Sequence, residues 1–288
     1  MTAPAGGAVA PRPAGVILLG MWIPFLRPRP PVIAVVRLEG AISARGTPFG
    51  GGLNLAGVAP LLHRAFALKR LSAVFLAINS PGGSPVQSAL IARRIRWHAE
   101  KAKVPVVAVC EDAAASGGYW IACAADEIVA DPASILGSIG VVSAGFGAPD
   151  ALARLGIERR LRTAGHEKAL ADPFLPETEE DRARLRELLD TLHDEFKDWV
   201  RGRRGARLRA PEETLFTGRF WTGRQALPLG LCDGLGDLKS EAERRFGPKA
   251  RLVPLGARRR PFPFSLLPSA ADAVAALEER AAWSRLGL

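Results

Sequence analysis

Three short stretches hold the side chains best placed to do chemistry. In "AAASGGYW", Ala113 to Trp120, Ser116 stands between an alanine run and two adjacent glycines. Glycines permit backbone angles and close approaches that other residues forbid, so a tight turn is one reading. The other is a nucleophile, a serine exposed at a strand-to-helix turn with backbone N–H groups free to hold an oxyanion. "NSPGGSPVQ", Asn79 to Gln87, places a second Gly-Gly pair after the preceding apolar run. "TAGHEKALADPF", Thr163 to Phe174, carries His166 and Lys168. A serine hydroxyl is a poor nucleophile without a base. A Ser-His-Asp triad would draw on His166, whereas a lysine serves where burial and nearby dipoles favour its neutral amine. Taken alone, Lys168 reads as a solvated surface lysine.

The surrounding elements must bring these stretches together. "VIAVVRLEG" from Val32 reads as a strand rich in branched residues. The glycine-rich "GTPFGGGLNLAG" leads into a helix expected over Val58–Lys69. "LSAVFLAIN", Leu71–Asn79, is nearly all apolar, as a strand buried on both faces should be. Ser84 before Pro85, with Gln87 three residues on, predicts a capping box opening a helix that runs to Lys103. A second buried strand, Val104–Cys110, feeds Ser116, where a short helix should start. Strand, helix and strand repeated in this way argue for an α/β fold with a mainly parallel sheet flanked by helices. If the two strands are neighbours, both Gly-Gly turns emerge at one carboxyl edge, where open α/β sheets bind ligands. There the amide of Gly117 and one from the other turn, Gly83, can converge on a developing negative oxygen.

Further along, "IERRLRT", Ile157–Thr163, predicts a strand, and a long helix should begin near Glu177, which leaves Lys168 in a loop. Leu185, Leu188, Leu189, Leu192, Phe196, Trp199 and Val200 recur at helical spacing and read as a packing stripe.

The 288 residues are 48% hydrophobic, enough for one large or two modest domains. A net charge of +10, from 39 basic and 29 acidic residues, makes anionic partners worth weighing. The arginine clusters Arg201–Arg209 and Ala257–Arg260 read as solvated helix ends or loops, compatible with peripheral contact to anionic lipid headgroups. They lack the aromatic signature, zinc-finger spacing or phosphate loop of nucleic-acid binding, so no nucleic-acid partner is expected. Cys110, Cys123 and Cys232 show no metal-ligand spacing and suit a reducing setting, and the four histidines form no metal pair, so no metal is expected. The apolar run Ala14–Leu26 contains Pro24 and falls short of the roughly 20 residues needed to span a bilayer. No clean signal-peptide cleavage site follows it. The expectation is a cytoplasmic chain, or one peripherally associated with the inner membrane. It divides into an appendage (1–31), a main domain (32–256) and an amphipathic extension (257–288).

The combination of "LAINSPGGSPVQS", "VPVVAVCEDAAASGGYWIACAADEIVADPASILGSIGVV", "TAGHEKALADPF" and "RFWTGRQALPLGLCDGLG" resembles the signal peptide peptidase A and SohB family of bacterial serine peptidases. The resemblance implies a Clp protease/crotonase-like fold of repeated β-β-α units. It implies Ser116 as nucleophile, Lys168 as general base and Gly83 and Gly117 as oxyanion-hole donors. Ser138 would hold the lysine in place, and the last motif would serve packing and assembly. It further implies a peptide substrate, no cofactor, and homo-oligomers shaped as rings or domes. Two alternatives share the groove: a catalytically inactive scaffold binding peptides or membrane proteins, and a crotonase-like acyl-CoA enzyme, which needs no Ser-Lys pair.

Overall fold

The run "LSAVFLAINS" is wholly apolar through its centre, Ala73–Ile78, because it crosses the middle of a sheet covered on both faces. The structure, a computed structural model, describes residues 29–44, 52–165, 167–256, 277 and 279–288. The chain divides into two units, Met1–Pro30 and Pro31–Leu288. In the second, β1 (Val32–Glu39), β2 (Leu71–Ser80) and β3 (Val106–Ala115) lie side by side and parallel. They are joined by α1 (Leu55–Phe66) and α2 (Pro85–Ala102), and β3 runs into α3 (Gly117–Ala122). Next come β4 (Glu127–Ala130), β5 (Ile135–Gly137), α4 (Pro149–Arg154) and α5 (Glu179–Arg204). The chain continues through α6 (Glu212–Leu215), β6 (Phe220–Thr222), α7 (Gly223–Leu229), β7 (Gly234–Leu235), α8 (Leu238–Phe246) and β8 (Arg251–Leu255).

The sheet runs in the order β6-β5-β3-β2-β1-β8, with β4 also on β3 and β7 on β4. Every pairing but β5–β6 is parallel. Side chains alternate between its faces. Val36, Leu38, Leu76, Ile78 and Ala108 join α1, α2 and α3 in the larger core, whereas Val35, Phe75, Ala77 and Val107 meet α8 in the smaller one. This is the mainly parallel, helix-flanked α/β sheet that the sequence predicts.

Several boundaries differ from expectation for local reasons. The first helix covers Leu55–Phe66 rather than Val58–Lys69, because the Asn54 side chain accepts from the Gly57 amide and caps it earlier. Arg70, at φ 60°, turns the chain into β2. At α2, Ser84 Oγ accepts from the Gln87 amide at 3.4 Å, but the capping box is only half made. Gln87 Oε1 instead accepts from the Leu55 amide at 2.9 Å and so ties α2 to the start of α1.

The second buried strand spans Val106–Ala115 rather than Val104–Cys110. Its acidic residues do not end it, because they have partners: Arg37 grips Glu111 at 2.7 and 2.9 Å, and Asn79 Nδ2 donates to Asp112 at 2.7 Å. Beyond Cys110 the strand changes neighbour. Val107–Cys110 pair with β4, whereas Ala113–Ala115 pair with β5.

No strand forms over Ile157–Thr163. Its apolar members Ile157 and Leu161 are exposed, and among the described residues the segment pairs with no strand. Residues 141–178 are exposed along most of their length, and α4 buries no residue. The long helix starts at Glu179, where Thr178 and Asp181 complete a capping box. Its stripe divides: Phe196 and Val200 are buried, whereas Leu188 is 52% exposed.

The arginine run Arg201–Arg209 is only in part the solvated surface expected of it: Arg207 and Arg209 are exposed, but Arg204 is buried and Arg203 half-buried. Arg203 donates to the carbonyls of Cys123 and Ala125 at 2.9 and 3.0 Å, and Arg207 to that of Asp126 at 2.8 Å. Carbonyls at and beyond the end of a helix need such donors, and α3 obtains them from α5 and its exit. The cluster Ala257–Arg260, the apolar run Ala14–Leu26 and most of 257–288 lie outside the described residues. Among the described residues no helix is long and apolar enough to cross a membrane.

Candidate active site

The β3–α3 turn holds Ser116 at φ 51°, ψ −120°, a region that non-glycine residues rarely enter. Such a conformation costs on the order of 1–3 kcal/mol and persists only when its surroundings enforce it. The enforcing contacts are at hand. The Ser116 amide donates to the Gly137 carbonyl at 2.8 Å, and the Ser116 carbonyl accepts from the Trp120 amide at 3.0 Å. Tyr119 Oη, fully buried, donates to the Leu231 carbonyl at 2.8 Å. Trp199 Nε1 donates to the Trp120 carbonyl at 2.9 Å, and the Trp120 ring stacks on Phe196 at 4.6 Å.

Leu231 belongs to the motif "FWTGRQALPLGLCDGLG", which is itself pinned from below. Arg204, 3% exposed, donates to the Gly230 carbonyl at 3.0 and 2.6 Å and to both Asp233 carboxylate oxygens at 2.8 and 3.0 Å. Asp233 Oδ2 also accepts from the Ile128 amide at 2.7 Å. This motif therefore acts as the floor under the helix that follows Ser116.

The Gly82–Gly83 turn lies directly against the serine. A Cβ on Gly82 would stand 2.7 Å from Ser116 Cβ and 2.9 Å from the Gly117 nitrogen. Gly83 has φ 139°, and a Cβ there would run into the Ile42 carbonyl, so only glycine fits. The turn is clamped on its other side, because Ile42 donates to the Gly82 carbonyl at 2.7 Å and accepts from the Ser84 amide at 2.8 Å. A Cβ on Gly117 would be 3.4 Å from the Gly83 nitrogen, which shows how near the two amides stand. Among the described residues neither amide donates to a protein acceptor, and Gly83 is open to solvent.

Ser138 follows Gly137, which pairs with Ala115, so the two serines sit side by side at the ends of adjacent strands. Its backbone also has φ 51°, and its amide donates to the Arg219 carbonyl at 2.8 Å. Lys168 stands apart. It lies in an exposed turn of the 141–178 segment, and its side chain meets no hydrogen-bond or ion-pair partner among the described residues. Its neighbour Glu167 pairs with Arg184 of α5 at 2.8 Å, and Asp172 pairs with Arg159 at 2.8 Å. His166 lies outside the described residues. The single chain thus groups Ser116, Gly83, Gly117 and Ser138, and among the described residues Lys168 makes no side-chain hydrogen bond to any of them.

Two contributors carry no sequence signal of their own: Ile42, which clamps the glycine turn, and Gly137, whose carbonyl holds Ser116. The three cysteines are buried and free. Burial pushes the Cys123 thiol up to about 12 and the Cys232 thiol up to about 11, and raises Cys110 as well, so none is an activated nucleophile. Among the described residues no cluster of three or more His, Cys, Asp or Glu is arranged to hold a metal ion. The arrangement offers a hydroxyl on a strained turn beside two unpaired amides, the elements of acyl transfer through an oxyanion.

Comparison with known proteins bears on the same region. The chain is 52% identical over 220 residues to a Brucella abortus protein named as the Na(+)/H(+) antiporter NhaA, covering 76% of this chain and 30% of that protein. It is 31% identical over 210 residues to the chloroplastic serine protease SPPA of Arabidopsis thaliana, covering 72% and 31% of the two chains. It is 30% identical over 218 residues to protease 4 of Haemophilus influenzae, covering 75% and 34%. The chain therefore spans about a third of the length of each of these relatives. A solved structure of the membrane-bound stomatin-specific protease 1510-N with a substrate peptide superposes at a TM-score of 0.45 with 15% identity, covering 87% of this chain and 99% of that one. Peptidase family S49 matches residues 98–245, just over half of the 288, a stretch that includes Ser116, Ser138, Lys168 and the motif beneath α3. The chain belongs to peptidase family S49.

Proposed function

We propose that the protein is a serine endopeptidase that cleaves peptides by acyl transfer through a Ser116–Lys168 dyad. The observation that carries this reading is the pair of unpaired amides, Gly83 and Gly117, meeting beside a serine held at φ 51°. A peptide in extended form lies beside the carboxyl edge of the sheet. Ser116 Oγ attacks the scissile carbonyl carbon while the neutral amine of Lys168 takes the hydroxyl proton. The carbonyl oxygen, now negative, accepts from the two amides, each contributing on the order of 3 kcal/mol in the transition state. Lys168 then gives its proton to the departing amine as the C–N bond breaks. Water attacks the acyl-enzyme as its proton passes to Lys168, and Lys168 returns that proton to Ser116 Oγ as the ester C–O bond breaks and the carboxyl product leaves. Ser138, beside Ser116 at the strand ends, hydrogen-bonds the incoming lysine and orients it. The substrate class is signal-peptide remnants or membrane-protein segments.

Lys168 must travel to the site or be supplied by a neighbouring copy. The segment that bears it exposes Val142, Phe146 and Leu155, with Phe146 97% exposed, and α5 adds Leu188. An apolar surface of this kind calls for a protein partner, and a homo-oligomeric ring or dome supplies one. The test uses Ser116→Ala and Lys168→Ala chains, separately and refolded together. Each alone should lose peptide hydrolysis and, for Ser116→Ala, fluorophosphonate labelling. Activity restored in the mixture places the dyad across two chains, and a silent mixture places it within one. Full activity of either single variant refutes the dyad.

A further inference from the structure

Arg201, Arg203, Arg204 and Arg207 at the end of α5 are engaged by carbonyls and carboxylates. Part of the surplus positive charge is displayed on the α1–α2 surface. Arg64, Lys69, Arg70, Arg93, Arg94 and Lys101 are all exposed and form no ion pair among the described residues. The carboxylates nearby are already engaged: Glu100 lies 3.4 Å from Arg96, and Asp126 pairs with Arg96 at 2.7 Å. Helix dipoles do not account for the cluster. The carboxyl ends of two helices present about half a negative charge each, which one or two cations would satisfy.

These residues share one patch. Buried His98 stacks on Phe66 of α1 at 5.2 Å and meets Trp97 edge-on at 4.7 Å, so the last turns of the two helices lie together. Burial lowers the affinity of His98 for a proton, and Arg94, His63 and Lys101 lower it further, as a locally positive surface requires. Trp97 is 52% exposed in the middle of this charge, with Lys101 Nζ 4.9 Å above its ring. A half-exposed tryptophan ringed by unpaired cations fits the headgroup region of an anionic bilayer, where indole rings settle and basic residues find phosphates.

The far end of the patch, with Lys69, Arg70 and Lys101, lies at a defined edge. Arg70 immediately precedes Leu71, which pairs with Val32, so β1 and β2 both begin at this edge. Ser116 is at the opposite, carboxyl edge, across a ten-residue strand of about 30 Å.

We propose that the α1–α2 face, centred on Trp97, docks on membranes containing anionic phospholipid and turns the Ser116 edge away from the bilayer. The surface does not rest on the peptidase reading, and hydrolysis of a soluble peptide without lipid should be unchanged when it is altered. The test is flotation of the full chain with phosphatidylcholine vesicles, with and without 30% phosphatidylserine, in about 0.1 M salt. Substituting Arg93→Gln, Arg94→Gln and Lys101→Gln together should lower phosphatidylserine-dependent binding about 100-fold, at about fivefold per cation. A control triple of equal charge change, Arg186→Gln, Arg224→Gln and Lys239→Gln, should lower it far less. Brominated lipid should quench the wild type more than Trp97→Phe. Equal loss in both triples, equal binding to vesicles lacking phosphatidylserine, or no quenching difference at Trp97 would overturn the proposal. So would a change of oligomeric state in the first triple, or its loss of affinity for RNA with vesicle binding intact.

Discussion

Replacing Arg204 by methionine tests whether the floor beneath the Ser116 helix holds the domain together. The guanidinium is 3% exposed and makes two contacts to the Gly230 carbonyl and two to Asp233. Methionine fills most of the space but donates nothing. The Gly230 carbonyl loses its donor, and Asp233, whose side chain is 19% exposed, keeps the Ile128 amide but loses its close cation, with Arg207 Nη1 left at 3.8 Å. Breaking a buried pair from one side costs about 3–5 kcal/mol, and the remaining Arg207 contact places the expected loss at about 3 kcal/mol. Replacing both partners, Arg204→Met with Asp233→Leu, should cost less than Arg204→Met alone. Urea unfolding followed by circular dichroism gives both numbers.

The same pair fixes a pH signature. Burial would raise the Asp233 carboxyl, but hydrogen bonds from Arg204 and the Ile128 amide outweigh it and hold it below the usual carboxylate range. A carboxylate depressed in the folded state stabilises above its unfolded pKa, about 3.9, and that stability is lost as pH falls through the folded value. Arg204→Met should therefore flatten the acid limb of the stability curve below about pH 4. A loss under about 1 kcal/mol at neutral pH, or an acid limb unchanged from wild type, would show that the floor is held by something else.

Other expectations follow from named contacts. Gly117→Ala pushes a methyl into the Ser88 hydroxyl and crowds the Gly83 amide, so kcat for peptide hydrolysis should fall about 100- to 1,000-fold with the fold retained. Tyr119→Phe strips the donor from the buried Leu231 carbonyl and should cost about 1–3 kcal/mol by urea unfolding. The three cysteines should resist a thiol reagent at pH 8 while the chain is folded and react together once it is denatured, since burial raises each thiol.

What the sequence discloses depends on whether a segment's fate is decided locally. β1, β2 and α2 are plain because unbroken branched runs and a Ser-Pro start leave one solution. The acidic end of β3 is not plain, because Glu111 and Asp112 look like a terminus until Arg37 and Asn79 arrive from other strands. Ile157–Thr163 reads as a strand from its residues alone, but it stays exposed and pairs with no strand among the described residues. The arginine run after Val200 looks solvated because its partners, the carbonyls closing α3, lie some 80 residues earlier. At the candidate site the two glycine turns were legible from their repetition after successive strands. The clamp from Ile42 and the tether from Gly137 were not, because a single isoleucine and a single carbonyl leave no pattern.

The change of neighbour along β3 has a consequence for how the parts of the site communicate. The first half of the strand is bound into the central sheet, but the three alanines before Ser116 lean on β5 alone on that side. Ser116 hangs from Gly137, and the exposed stretch that carries Lys168 departs from the same short strand only three residues later. Hydroxyl and amine are thus carried on one run of chain, with Ser138 and Ile139, tied to Arg219, Gly218 and His193, standing between the outlying stretch and the peptide that fixes the serine.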